Sequence, residues 1–203
     1  QNTAWSGGAI ANDKGDMKIS NSRFTQNSGS WTGGSIHNSD GNMTIENSEF
    51  TQNSGGWNGG AFVNYGELTV ENSKFANNNA MNGGAISNSE LLTVRNSTLE
   101  NNVAKDYSGA IDNWGTAIIE NTQFTNNSAV TGAGAIDNWG PLIITDSNFT
   151  QNTAGEHAGA IRSNRFAEIT NITNTKFTNN SAPVGGAIQT VKNMTISDSE
   201  FIG

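Results

Sequence analysis

Apolar residues along this chain come singly or in pairs among runs of Asn, Ser, Thr and Gly, and they recur at a nearly fixed interval. A Gly-small-apolar triplet appears as Gly8-Ala9-Ile10, Gly34-Ser35-Ile36, Gly60-Ala61-Phe62, Gly84-Ala85-Ile86, Gly109-Ala110-Ile111, Gly134-Ala135-Ile136, Gly159-Ala160-Ile161 and Gly186-Ala187-Ile188, at spacings of 26, 26, 24, 25, 25, 25 and 27. A Phe-x-x-Asn signature follows each triplet, from Phe24-x-x-Asn27 to Phe177-x-x-Asn180, with Leu99 the one substitution and Phe201 opening a further copy. Between the two lies a short alternating run such as Met43-Thr44-Ile45, Leu68-Thr69-Val70 or Leu142-Ile143-Ile144. Each unit therefore carries three short β signals parted by turn residues. None has the ten or so residues of helical periodicity that a helical repeat needs. The pattern predicts an all-β chain, a right-handed single-stranded parallel β-helix of about eight rungs that runs through residues 1–203 as one array.

In such a coil equivalent residues lie about 4.8 Å apart on successive rungs. The triplet isoleucines and Phe62 should form one internal column and the phenylalanines another. Asn12, Asn38, Asn64, Asn88, Asn113 and Asn138 form a candidate ladder that fails at Ser163 and Thr190. The asparagines of the Phe-x-x-Asn signature form a second, and Asn21, Asn47, Asn72, Asn96, Asn121, Asp146, Asn174 and Asp198 a third. Side-chain amides stacked in this way can satisfy one another and the turn backbone. Residues 165–175 carry an insertion, so a bulge is expected in the seventh rung, with either Ile169 or Ile172 turned inward.

Composition narrows the function classes. Net charge is −8 with a pI near 4.6, which argues against a nucleic-acid binder and against attraction to anionic lipid. No stretch approaches the roughly 18 apolar residues of a spanning helix, so direct membrane insertion by this segment is not expected. Cysteine is absent, which removes disulfides and thiolate metal sites. His37 and His157 fall on distant rungs, where each reads as a surface residue and the two cannot share a metal. No P-loop, dinucleotide fingerprint or EF-hand loop occurs, so no cofactor is expected. Neither end shows a cap, and the chain is expected to be a segment of a longer passenger or stalk.

Candidate chemistry lies on outward positions. Asp112-Asn113-Trp114-Gly115 recurs as Asp137-Asn138-Trp139-Gly140 on the next rung. In register, Asp112 and Asp137 would face solvent one rung apart, Arg162 would extend their column, and Trp114 and Trp139 would stack beside them. Carboxylates next to aromatic faces suit a sugar. They also resemble the paired acids of a glycosidase, whose carboxyl groups stand about 5 to 10 Å apart. Arg162 neutralising Asp137 under two covering tryptophans is the bland alternative. Trp5, Trp31 and Trp57 occupy one position on three rungs, continued by Met81, as a glycan or protein contact or as a hydrophobic seam. Arg23, Glu49 and Lys74, and likewise Glu71, Arg95 and Glu120, alternate in sign as cross-rung pairs would.

Together the Gly-Gly-Ala-Ile and Phe-x-x-Asn signatures resemble the repeats of chlamydial polymorphic outer-membrane proteins and of autotransporter-type adhesin passengers. That resemblance spans the chain and implies a surface-exposed or secreted adhesin with no enzymatic activity. With the aromatic columns it makes a carbohydrate or a host surface protein the expected partner. The rival is a polysaccharide lyase or glycoside hydrolase on the same scaffold, and a stalk without ligand is a third reading.

Overall fold

The computed structural model describes residues 1–203, and every regular element is a β-strand. One rung shows the plan: Ile111–Asn113, Thr116–Glu120, Gln123–Thr125 and Ser128–Ala129 follow one another around the coil. Each strand pairs in parallel with its equivalents on the neighbouring rungs, which gives three eight-stranded sheets and one seven-stranded sheet. Ile86, Ile111 and Ile136 are direct register partners, as the repeat predicts. The parallel solenoid of about eight turns is thus the observed architecture.

A fourth strand per rung is the addition to the three expected. It runs from Thr3–Ser6 to Thr153–Ala154 and in most rungs is only two residues long. Its inward residue is small, Gly29 or Gly55 in early rungs and Ala80, Ala104, Ala129 and Ala154 later, all buried. So short a strand has no room for an apolar alternation, and for that reason it left no β signal.

The core is a thin stack. Phe24, Phe50 and Phe75 lie with ring centroids 4.7 Å apart, and Phe124, Phe149, Phe177 and Phe201 follow at 4.6, 5.1 and 4.8 Å. These distances are the inter-strand spacing itself, so the rings stack because the backbone ladder sets them there. Leu99 fills the gap between the two runs and is fully buried. Beside this column pack the triplet isoleucines and the apolar pair of the long strand, such as Val94 with Leu92.

Two asparagine columns are hydrogen-bonded ladders. Asn102 Nδ2 donates to Asn127 Oδ1 and to the Phe75 carbonyl, each at 3.0 Å, while its own Oδ1 accepts the Asn78 backbone N–H at 3.0 Å. Every buried polar atom of that column is thereby matched. The first ladder, with Asn88 donating to Asn113 at 2.8 Å, stops where Ser163 turns to Thr170 instead, at 3.0 Å. The third column is different in kind. All eight residues from Asn21 to Asp198 have φ between 44° and 52°. Asn and Asp tolerate this left-handed region better than other non-glycine residues, so the column makes a corner of the coil.

In the seventh rung Ile172 is the inward residue and Ile169 is half exposed. Residues 165–169 form the bulge, exposed except for buried Ala167, whose N–H bonds the Asn164 carbonyl at 3.0 Å. Outward charges pair across rungs: Arg23 with Glu49 at 3.1 Å and Arg95 with Glu120 at 2.5 Å. Lys74 reaches Glu100 at 2.7 Å. Such exposed pairs contribute on the order of 0.5 kcal/mol each.

Candidate functional site

Asp112 and Asp137 sit at the middle of the strands Ile111–Asn113 and Ile136–Asn138. Strand alternation turns the flanking Ile and Asn into the core and the acids away from it. Asp112 pairs in register with Asp137, and Asp137 with Arg162. Yet Asp112 is only 4% exposed and Asp137 0%. The expectation that both acids face solvent is overturned, because the turn before each of these strands folds back over their column. Its last residue is a glycine with φ near 60° in the first four rungs, Gly7, Gly33, Gly59 and Gly83, and it becomes Ser108, Ala133 and Ala158, outside that region, in the next three. Ser108 Oγ lies 2.5 Å from the Ile111 carbonyl and accepts the Asp137 backbone N–H at 3.0 Å. A β-carbon on Gly132 would come within 2.3 Å of Asp137 Oδ2, so the missing side chain there is what makes room for the carboxylate.

The two buried acids are held differently. Asp112 Oδ2 accepts the Trp114 indole N–H at 3.1 Å. Asp137 accepts from Asn164 Nδ2 and faces the Arg162 guanidinium at 3.4 Å. Burial, and after it the charge of Asp137, pushes the Asp112 carboxyl up to about 7. For Asp137 burial again dominates, and Arg162 and Asn164 pull back to leave it at about 6. Arg162 therefore does neutralise Asp137, as the bland alternative held, and Asp112 is left without a cation.

Trp114 and Trp139 stack with centroids 4.7 Å apart and planes 2° from parallel. Phe166, from the seventh-rung bulge, continues the column at 6.1 Å from Trp139 with a 33° tilt, and the Arg165 guanidinium caps it at 4.7 Å. Trp114 is 53% exposed, and its bond to Asp112 sets the orientation of the ring.

A family model described as the right-handed β-helix region matches residues 7–167 of the chain. The chain belongs to the right-handed β-helix family. Residues 174–191 of this β-helix match the Chlamydia polymorphic membrane protein repeat. That stretch contains one Phe-x-x-Asn, Phe177 to Asn180, and one Gly185-Gly186-Ala187-Ile188, the two signatures on which the resemblance was drawn. No curated protein and no solved structure matches significantly.

A second aromatic column lies on the same flank of the β-helix, in the fourth strand and the turn that joins it to the triplet strand. Trp5 and Trp31 stack at 5.7 Å and 4°, Trp31 and Trp57 at 6.0 Å and 12°, and all three are largely exposed. Met81 continues the column, half-buried. Trp57 and Trp114 meet across a groove of about 290 Å³ that Asn58, Asn82, Ser87, Ser89, Tyr107 and Asp112 complete. The structure thus brings Trp57, Asp112 and Trp114 together and leaves Trp5, Trp31, Asp137, Trp139 and Arg162 outside the groove. Tyr107, Ser87 and Ser89 went unrecognised because none belongs to a repeated signature. The signal that could have found Ser89 is its place in the alignment, between Tyr65 and Trp114. The histidines are not free surface residues either. Half-buried His37 lies 3.1 Å from Thr32 Oγ1 and against Tyr65, and burial lowers its pKa. His157 is also half-buried, and burial lowers its pKa before the charges of Arg162 and Glu156 act on it.

Proposed function

We propose that this β-helix is a non-enzymatic, surface-displayed adhesin that offers one flank of its coil to a carbohydrate or to a host surface protein. One observation carries the reading. Apart from Phe201, every exposed aromatic side chain flanks the triplet strand, with Trp5 and Trp31 in the short fourth strand before it, Trp57 and Tyr107 in the turn that leads from that strand, and Tyr65, Trp114 and Phe166 in the turn after. Rigid aromatic faces concentrated on one side of a polar rod are what a recognition surface needs, since they supply contact area at little cost in conformational entropy. The polymorphic membrane protein repeat supports surface display.

The burial of the acid pair supports the absence of catalysis. A glycosidase needs two carboxyl groups that reach the sugar. Asp137 has no exposed surface and is bound by Arg162 and Asn164, so Asp112 alone retains access to the groove.

Retention of the chain on arrayed glycans and on host cells tests the reading. Trp114→Ala/Trp139→Ala is expected to weaken it by about tenfold or more with the fold intact, since central aromatic truncations cost on the order of 2 kcal/mol. Undiminished retention would remove this corner from consideration. Release of reducing or unsaturated ends from a panel of polysaccharides, lost in Asp112→Asn, would replace the adhesin by a lyase or hydrolase.

A further inference from the structure

We propose that the notch between Trp57 and Trp114 is a subsite for a single neutral pyranose ring, an inference that rests on the adhesin reading and names its ligand class. The notch is a missing tooth in two columns. Tyr65, Ser89 and Trp114 are equivalent residues, for each donates its backbone N–H to the asparagine carbonyl of the rung before, at 2.8, 2.9 and 2.8 Å. Tyr65 and Trp114 are thus two rungs apart, about 9.6 Å along the coil. Serine leaves the place between them empty, with room for a saturated ring against the Trp114 face. In the neighbouring column Val63, Ser87 and Asp112 are register partners, and again the middle rung has the small residue. The wall opposite is formed by Trp57 and Tyr107, which belong to the turn on the other side of the strand.

The floor of the notch holds acceptors that the protein leaves open. Asp112 is more than nine-tenths buried, and the only hydrogen bond of its carboxyl is the one from Trp114 to Oδ2, so Oδ1 is free to bond a hydroxyl in the groove, accepting when ionised and donating when protonated. Asn82 donates its amide to Asn58 at 3.1 Å, while its Oδ1 is buried with no partner. A buried acceptor without a donor is costly, and a ligand hydroxyl removes that cost. Pyranoses present this combination: C–H faces that lie on indole and phenol rings, and hydroxyl donors around the edge. Charge selects among them. No Lys or Arg lines the notch and the chain carries a net charge of −8, so a sugar carboxylate would meet no counter-charge.

The test uses the whole chain and neutral methyl pyranosides, with saturation-transfer NMR as the readout of contact and thermal melting as the check on folding. Wild type is expected to bind at least one neutral pyranoside at about millimolar affinity, and glucuronate and sialic acid more weakly. Ser89→Trp, which places in the gap the residue the column carries at Trp114, is expected to abolish the signal without lowering the melting temperature. Tyr107→Ala, which removes one wall, is expected to weaken it by about tenfold. Ile143→Ala, on the exposed side of the strand Leu142–Thr145 and away from the notch, should leave it unchanged. A signal that survives Ser89→Trp, or a wild type silent toward every neutral sugar, overturns the inference. Retention on cells that persists in Ser89→Trp and under soluble pyranoside also overturns it and leaves the adhesin reading standing. Pyranoside binding in the notch with no retention on any surface upholds the subsite and overturns the adhesin.

Discussion

Asp112 is an acid that the coil buries beside a second acid without providing a cation, and this has a measurable sign. Its folded pKa of about 7 stands well above the ordinary aspartate range, so the native chain keeps a proton that the unfolded chain gives up. The stability this contributes is complete below the unfolded value and is lost as pH rises through about 7, an effect on the order of 2 to 4 kcal/mol. Asp137, raised to about 6, acts in the same direction over a narrower range. Wild type should therefore melt at a higher temperature near pH 5 than near pH 8. Asp112→Asn keeps an acceptor for the Trp114 indole and cannot ionise. In the variant the difference between the two pH values should shrink, and at about pH 8 it should melt roughly 5 °C above wild type. Melting curves across pH check this. A wild type that gains stability toward alkaline pH would show that the carboxyl is not held in its protonated form.

Corners and strands explain both what the sequence disclosed and what it hid. The Ile86, Ile111, Ile136 column and the phenylalanine stack were legible because identical side chains recur at the length of one turn, and the observed register keeps them in contact. The fourth strand was hidden by its brevity, and the burial of Asp112 was hidden for another reason. Alternation correctly directs that side chain out of the core, but it does not reveal that a turn from the same flank returns over it. The broken Gly-Gly doublets at Ser108, Ala133 and Ala158 mark those rungs in the sequence, yet their consequence is three-dimensional. Of the groove, Trp57, Asp112 and Trp114 were legible, whereas Ser87 and Ser89 act through what they lack. The Asn21 column, whose spacing suggests a ladder, is a left-handed corner, with side-chain bonds only between Asn121 and Asn96 and between Asn174 and Asp146. A corner and a ladder respond differently to substitution. Asn96 has φ of 50°, so Asn96→Gly should leave stability within about 0.5 kcal/mol of wild type, and Asn96→Val should cost on the order of 2 kcal/mol. Urea unfolding of the two variants decides the matter, because loss of a ladder amide would make glycine as harmful as valine.

At the scale of the whole molecule, each rung touches only its two neighbours, so stability is a sum of rung and interface contributions and a rung is a removable unit. Residues 62–85 make the cleanest case, since the 24 residues equal the local repeat and the join places Ala61 before Ile86. Gly59 and Gly83 share φ of 60°, so the turn that remains already has the conformation that Ile86 follows. Every new contact has a native precedent. Ile36 would meet Ile86, Asn38 would meet Asn88 and Asn53 would meet Asn102, which keeps both ladders continuous, and Phe50 would pack on Leu99 as Phe75 does now. Glu46 would come opposite Arg95 in the place of Glu71. The shortened chain is therefore expected to unfold in one cooperative transition with an unchanged far-ultraviolet spectrum per residue, at a modestly lower midpoint. Removing one residue more, 62–86, joins Ala61 to Ser87, which puts Ser87 where the column requires isoleucine and shifts the strand so that Ser87 and Asn88 exchange faces. That chain should be less stable by on the order of 3 kcal/mol and bind a hydrophobic dye. Equal midpoints for the two deletions would mean that stacking in register is not what holds the coil together.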